Sequence, residues 1–79
     1  MSVLPKNTLA TLKIGQKALV TGFTDEALSL KLLEMGCLPG AEIEMHAIAP
    51  LGDPLCISVY GYKLSMRISE ANTVLIKII

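Results

Sequence analysis

Tryptophan is absent, phenylalanine and histidine each occur once, and neither sign of charge is in excess. Seven basic residues balance seven acidic ones without clustering, so the chain lacks the cationic footprint that phosphate neutralisation requires. Nucleic acid is therefore not an expected partner. Long apolar runs are also missing: the longest candidate, VLIKII at the C-terminal end, is strand-sized and carries Lys77. Membrane insertion is not expected. The opening MSVLPKNTLATLKIG has neither a charged leader nor an unbroken apolar stretch, which argues against a secretory signal and for the cytoplasm. The two cysteines, Cys37 and Cys56, then read as reduced thiols, not as a disulfide framework. No repeat, linker or low-complexity segment breaks the chain, and a single domain over residues 1–79 is expected.

What the chain does have is aliphatic bulk. At 52% apolar and 18% charged it has enough large side chains for a compact core, which disordered chains lack. NTLATLKIGQ reads as a helical turn capped by Asn7 or Thr8 and stopped by Gly15, and KALVTGF follows as a strand. TDEALSLKLLEMG carries the strongest helix signals: a cap at Thr24 or Asp25, acids in the first turn, and Gly36 as the stop. Four strand-like pieces come next. The first, AEIEMHAIA, places Ile43, Met45 and Ala47 on one face and Glu42, Glu44, His46 and Ile48 on the other. LCISVY points Leu55, Ile57 and Val59 inward, and YKLSMRI does the same with Leu64, Met66 and Ile68. The fourth, TVLIKII, buries Val74, Ile76 and Ile78, after a helical turn at SEAN opened by Ser69. A hairpin is expected around Gly61. Five short strands need closure to avoid long bare edges, so the expected fold is mainly β: a small SH3-like barrel with a helical insertion after its first strand. A small α+β sandwich is the alternative.

Few residues offer chemistry. Cys37 follows the helix stop, where a C-terminal turn wants an apolar residue, and has no histidine near it in sequence, so packing is expected. Cys56 faces outward with no activating neighbour. Glu44 and His46 share a strand face and Cys56 could add a third ligand, but this is weak as a metal set. A solvated histidine beside a glutamate is the simpler reading. PLGDP at 50–54 has no following Lys-Ser/Thr pair, so it reads as a stiff turn, not a phosphate loop. In the helix, Leu28, Leu32 and Met35 share the face expected to dock on the barrel, while Leu30 and Leu33 project from the other side. Leu30, Lys31 and Leu33, extended by Ile48, form a candidate partner-binding ridge; covered by loops, they would be core instead. No nucleophile–base pair, paired carboxylates or cofactor motif is visible. A non-enzymatic binding module without a cofactor is expected, with self-association through strand edges or the ridge left open.

Four segments in this order, LKIGQKALV, KLLEMGCLPGAEIEM, APLGDPLCISVYGYKLSMR and SEANTVLI, resemble the FeoA family of small cytosolic accessory proteins of bacterial ferrous iron import. The resemblance covers residues 10–78. It implies an SH3-like barrel and a partner, the cytosolic part of the GTP-binding membrane transporter FeoB, whose transport or GTP hydrolysis the protein would modulate. It also implies an aliphatic residue at the position of Cys37, in keeping with packing, and no required ligand at His46 or Cys56. The same domain type ends metal-dependent repressors, which carry a helix-turn-helix that 79 residues are not expected to hold. Basic residues common in the family after the second strand's core are Ala47 and Ile48 here, which favours an apolar contact over a basic finger toward GTP. The rival function is a direct metal carrier or sensor using Glu44, His46 and Cys56.

Overall fold

Among the described residues, the alternating β-branched and aliphatic side chains form five strands in a single antiparallel sheet. The computed structural model describes residues 7–79, so the first six residues of the predicted domain lie outside it. A 3₁₀ turn (Leu9–Thr11) precedes β1 (Lys17–Phe23), α1 (Glu26–Glu34), β2 (Glu42–Ile48), β3 (Leu55–Val59), β4 (Tyr62–Met66), α2 (Ile68–Ala71) and β5 (Val74–Ile78). The sheet order is β4-β3-β2-β1-β5. Every strand turns one face to the same core, where Val20, Ile43, Met45, Ile57, Met66 and Val74 meet Leu9 and Leu32. The sheet curls with the help of two bulges, between Val20 and Gly22 in β1 and between Met45 and Ala47 in β2.

The two end strands are treated differently. Beyond β5 the chain's own beginning adds a partial strand: Thr8 bridges to Leu75, and the Ile76 amide donates to the Asn7 carbonyl at 3.1 Å. Beyond β4 no strand is paired among the described residues.

Several details depart from the sequence expectations. Ala47 is half-buried because the bulge at His46 breaks the alternation that Ile43 and Met45 begin. Leu64 is likewise half-buried, as β4 is an end strand. Ile78 is 43% exposed, not core, although it pairs with the buried Ala18 of β1. The expected turn over NTLATLKIGQ shrinks to the 3₁₀ segment, and Thr8 makes no side-chain cap. The second helix opens at Ile68 instead of Ser69. Its first free amide, that of Ile68, donates to Asp53 Oδ1 at 3.0 Å, so the cap comes from the PLGDP loop, distant in sequence.

The β3–β4 hairpin turns on two residues, Tyr60 (φ 50°) and Gly61 (φ 84°), between the paired Val59 and Tyr62. Two consecutive left-handed residues match the twist of a two-residue hairpin, which normally takes Asn-Gly. A tyrosine in that conformation crowds its Cβ against the following carbonyl. Tyr60→Asn is expected to raise the unfolding free energy by about 1 kcal/mol in urea titration.

Candidate partner-binding site

Helix α1 is fixed at both ends by local chemistry. Asp25 Oδ1 accepts the Leu28 amide at 3.1 Å, satisfying one of the orphan donors of the first turn. At the other end Gly36 takes φ 102°, a conformation that would strain any side chain. The Cys37 amide then folds back to the Leu32 carbonyl at 2.9 Å and the Gly36 amide to the Leu33 carbonyl at 3.1 Å. This is the bonding of a Schellman turn, which places its following residue against the helix. Cys37 is that residue and is fully buried. Burial pushes its thiol up to about 11, so at neutral pH it is a protonated, inert group.

The helix presents its faces as the spacing predicts, with one difference. Leu32 is fully buried, and the half-buried Leu28 and Met35 pack against the core. On the other side Leu30 is 66% exposed, and Leu33 is half-buried without joining the side chains packed on the core. Leu30→Asp is therefore expected to change stability by less than about 0.5 kcal/mol, and Leu33→Asp by more, in the same urea assay. Lys31 is the difference. Its ammonium is not free beside the leucines but reaches Glu70 Oε2 at 2.5 Å. Ile48 is exposed at the end of β2, paired with Leu55.

Glu70, which the sequence reading passed over, ties three elements together. It is 7% exposed on α2, its Oε1 accepts the Arg67 amide at 3.0 Å, and its Oε2 accepts from Lys31 of α1. The Lys31 bond, then the Arg67 amide, hold its carboxyl below the usual carboxylate range against the opposing effect of burial. Arg67 has no side-chain acceptor to return the bond, so only the glutamate half of a capping box exists, and Asp53 accepts a different amide, that of Ile68. A glutamate in the third position of a helix was the available signal. A helical turn opened by Ser69, as the sequence suggests, puts Glu70 at the first position and hides that signal.

Two clefts flank α1. One, of about 460 Å³, lies among Lys31, Met35, Asp53, Ser65, Arg67 and Glu70. The other, of about 370 Å³, is mainly apolar and lies among Met35, Leu38, Tyr60, Tyr62 and Leu64, with Glu34 and Lys63 at its rim. Tyr60 and Tyr62 are both largely exposed. Neither tyrosine figured among the sequence candidates, since aromatics in a hairpin suggest turn and strand before they suggest a binding surface.

The metal candidates stay apart. Glu44 is half-buried and opposite Ser58, while His46 is exposed at the bulge. Cys56 is half-buried, less accessible than its outward position suggests, and faces Ala47 in place of the histidine. An unbulged ladder would have set His46 across from Cys56. Among the described residues, no group of three or more His, Cys, Asp or Glu side chains is placed to hold a metal ion. Nor is any helix among them long and apolar enough to cross a membrane.

Residues 7–78 match the FeoA domain family. A FeoA-like protein from Clostridium acetobutylicum is 34% identical, with 91% of this chain and 85% of that one covered and a TM-score of 0.85. The FeoA protein of Chlorobium tepidum is also 34% identical over 92% of this chain and 70% of its own, with a TM-score of 0.84. FeoA of Stenotrophomonas maltophilia, solved with zinc, is 33% identical over 90% and 89%, with a TM-score of 0.79. That protein is described as a prokaryotic SH3 domain protein and a candidate activating factor of ferrous iron transport. Five antiparallel strands, a helix inserted after the first, and this match over nearly the whole length establish that the chain belongs to the FeoA family.

Proposed function

We propose that the protein is a cytoplasmic accessory component of bacterial ferrous iron uptake, which binds the cytosolic part of the FeoB transporter and modulates transport or GTP hydrolysis. Family membership supports the iron connection, together with the role attributed to the S. maltophilia relative. The observation that carries the binding reading is the outward side of α1. Leu30 stands 66% exposed on a helix whose inner face is already anchored, so its apolar surface is left for a partner. The expected contact comprises Leu30 and Leu33, with Ile48 as its outlying member.

The test is capture of FeoB's cytosolic part by the wild-type protein and by Leu30→Asp, with GTP hydrolysis measured with and without each. Wild type is expected to bind and alter hydrolysis, and the variant to bind more weakly while staying folded. Absence of association in both nucleotide states and with full-length transporter would end this reading. A direct metal carrier is the rival. Anaerobic titration with ferrous iron, comparing wild type with His46→Ala, separates the two: tight binding lost in the variant would favour the carrier.

A further inference from the structure

The sheet's open edge has a polarity of its own. In a two-residue hairpin the flanking pair, Val59 with Tyr62, is hydrogen-bonded, and bonded and non-bonded pairs then alternate along an antiparallel ladder. Ile57–Leu64 and Leu55–Met66 are accordingly bonded, while Ser58–Lys63 and Cys56–Ser65 are not. The amides and carbonyls of Lys63 and Ser65 therefore point away from β3. Among the described residues no other element takes them up in a hydrogen bond. The far edge, at β5, is already covered by Asn7 and Thr8.

The side chains of β4 divide in the same way. Lys63 and Ser65, with Arg67 just past the end of the strand, are exposed on one face. The alternate residues, Tyr62 and Leu64, border the apolar cleft that also contains Met35 and Tyr60. A strand laid along this edge would set every second side chain beside the apolar cleft and the others beside two cations. Of the acidic groups nearby, Glu70 is paired with Lys31, while Asp53, which accepts the Ile68 amide, and Glu34 keep their charges in the clefts on either side of α1, and Lys63 and Arg67 are the cations beside the edge itself. A lysine on an edge strand also discourages indiscriminate apolar pairing, so it selects among strands instead of welcoming all. The strained turn fits this arrangement, because asparagine would close the hairpin more cheaply but would not line the cleft with a ring.

We propose that the outer edge of β4, at Lys63 and Ser65, is a docking site for an extended segment of the protein partner in which acidic residues alternate with apolar ones, added to the sheet as a further strand. The inference rests on the partner reading above, since it takes that partner to supply the strand. Backbone bonds at Lys63 and Ser65 give the affinity, the cleft beside Tyr62 receives an apolar side chain, and Lys63 and Arg67 select the acids.

The test has two ligands: the cytosolic part of FeoB, and an N-acetylated hexapeptide alternating glutamate and valine. Each is titrated into wild type, Ser65→Pro and Lys63→Glu, with amide hydrogen exchange followed in the complexes and circular dichroism confirming the fold. Ser65→Pro removes an amide that bonds nothing in the free protein, and Lys63→Glu keeps the probe informative if the proline disturbs the strand. With both ligands the amides of Lys63 and Ser65 are expected to become protected. Either substitution is expected to weaken binding by about tenfold, as loss of one bond or one charge contact implies. If FeoB binds but these amides stay unprotected and the variants bind like wild type, the docking site is wrong and the partner reading survives. Should the peptide alone bind at this edge, the site stands and FeoB is the wrong partner. Binding of neither ligand overturns the site. Protection of the same amides by self-association at rising protein concentration would make a second copy the occupant and overturn the acidic strand.

Discussion

Leu32→Ala is expected to lower the unfolding free energy by about 3 kcal/mol, read as a shifted urea midpoint with an unchanged slope. Leu32 is the one residue of α1 that is fully buried. Leu28 and Met35 reach the core only with part of their surface. The helix has no strand ladder to hold it, so its attachment depends chiefly on this side chain, helped by Leu28, Met35 and the Lys31–Glu70 bond. Truncation would leave a cavity in a close-packed core that relaxes only partly, which puts the substitution within the usual leucine-to-alanine range. At roughly 0.1 kcal/mol per residue, a domain of 79 residues has about two and a half times that amount in total. A loss below about 1 kcal/mol would mean that α1 is not docked through Leu32, and the assignment of Leu30 to the outward side would fall with it.

How far the sequence foretold this can be argued from the same helix. Capping by Asp25, the stop at Gly36 and the inward turn of Cys37 are local devices, set by side chains within a few residues, and all were legible. So were the inward faces of β3 and the core members of β2, because alternation holds wherever a strand is regular. The His46 bulge was not legible. It inserts one residue into the pairing without any glycine or proline to mark it, and by doing so moves His46 out of register with Cys56. The Lys31–Glu70 bond and the Asp53 cap on Ile68 were hidden for another reason. Each joins residues far apart in the chain, and only the closed fold brings them within bonding distance. The open β4 edge lies between these cases. Five strands could be counted, but which two would end the sheet depends on the order in space.

The bond that joins α1 to α2 gives the second large effect. Glu70→Ala is expected to destabilise the domain by about 2 kcal/mol, combining the lost N-terminal acceptor for the Arg67 amide with a lost charge-assisted bond to Lys31. Lys31→Met is expected to do less, since its methylenes can still cover the cleft and the Arg67 amide keeps its acceptor. The pH dependence separates charge from shape. In the folded chain the Glu70 carboxyl sits below its ordinary value of 4.5, chiefly because Lys31 bonds the ionised form. Such a group adds stability above the unfolded value and loses that contribution as pH falls through the lowered folded one. Glu70→Gln preserves size and an acceptor for Arg67 but cannot carry the charge. The stability gap between wild type and Glu70→Gln should therefore be widest near neutral pH, narrow below about pH 4.5, and close in stronger acid. In Lys31→Met the main cause of the shift is gone, so the gap to the double variant should be small and nearly flat over the same range. Urea titrations of the four proteins at descending pH supply the measurement. A gap that stays constant from neutral to acid would show that Glu70 acts by shape alone, and that the tie between the helices is not electrostatic.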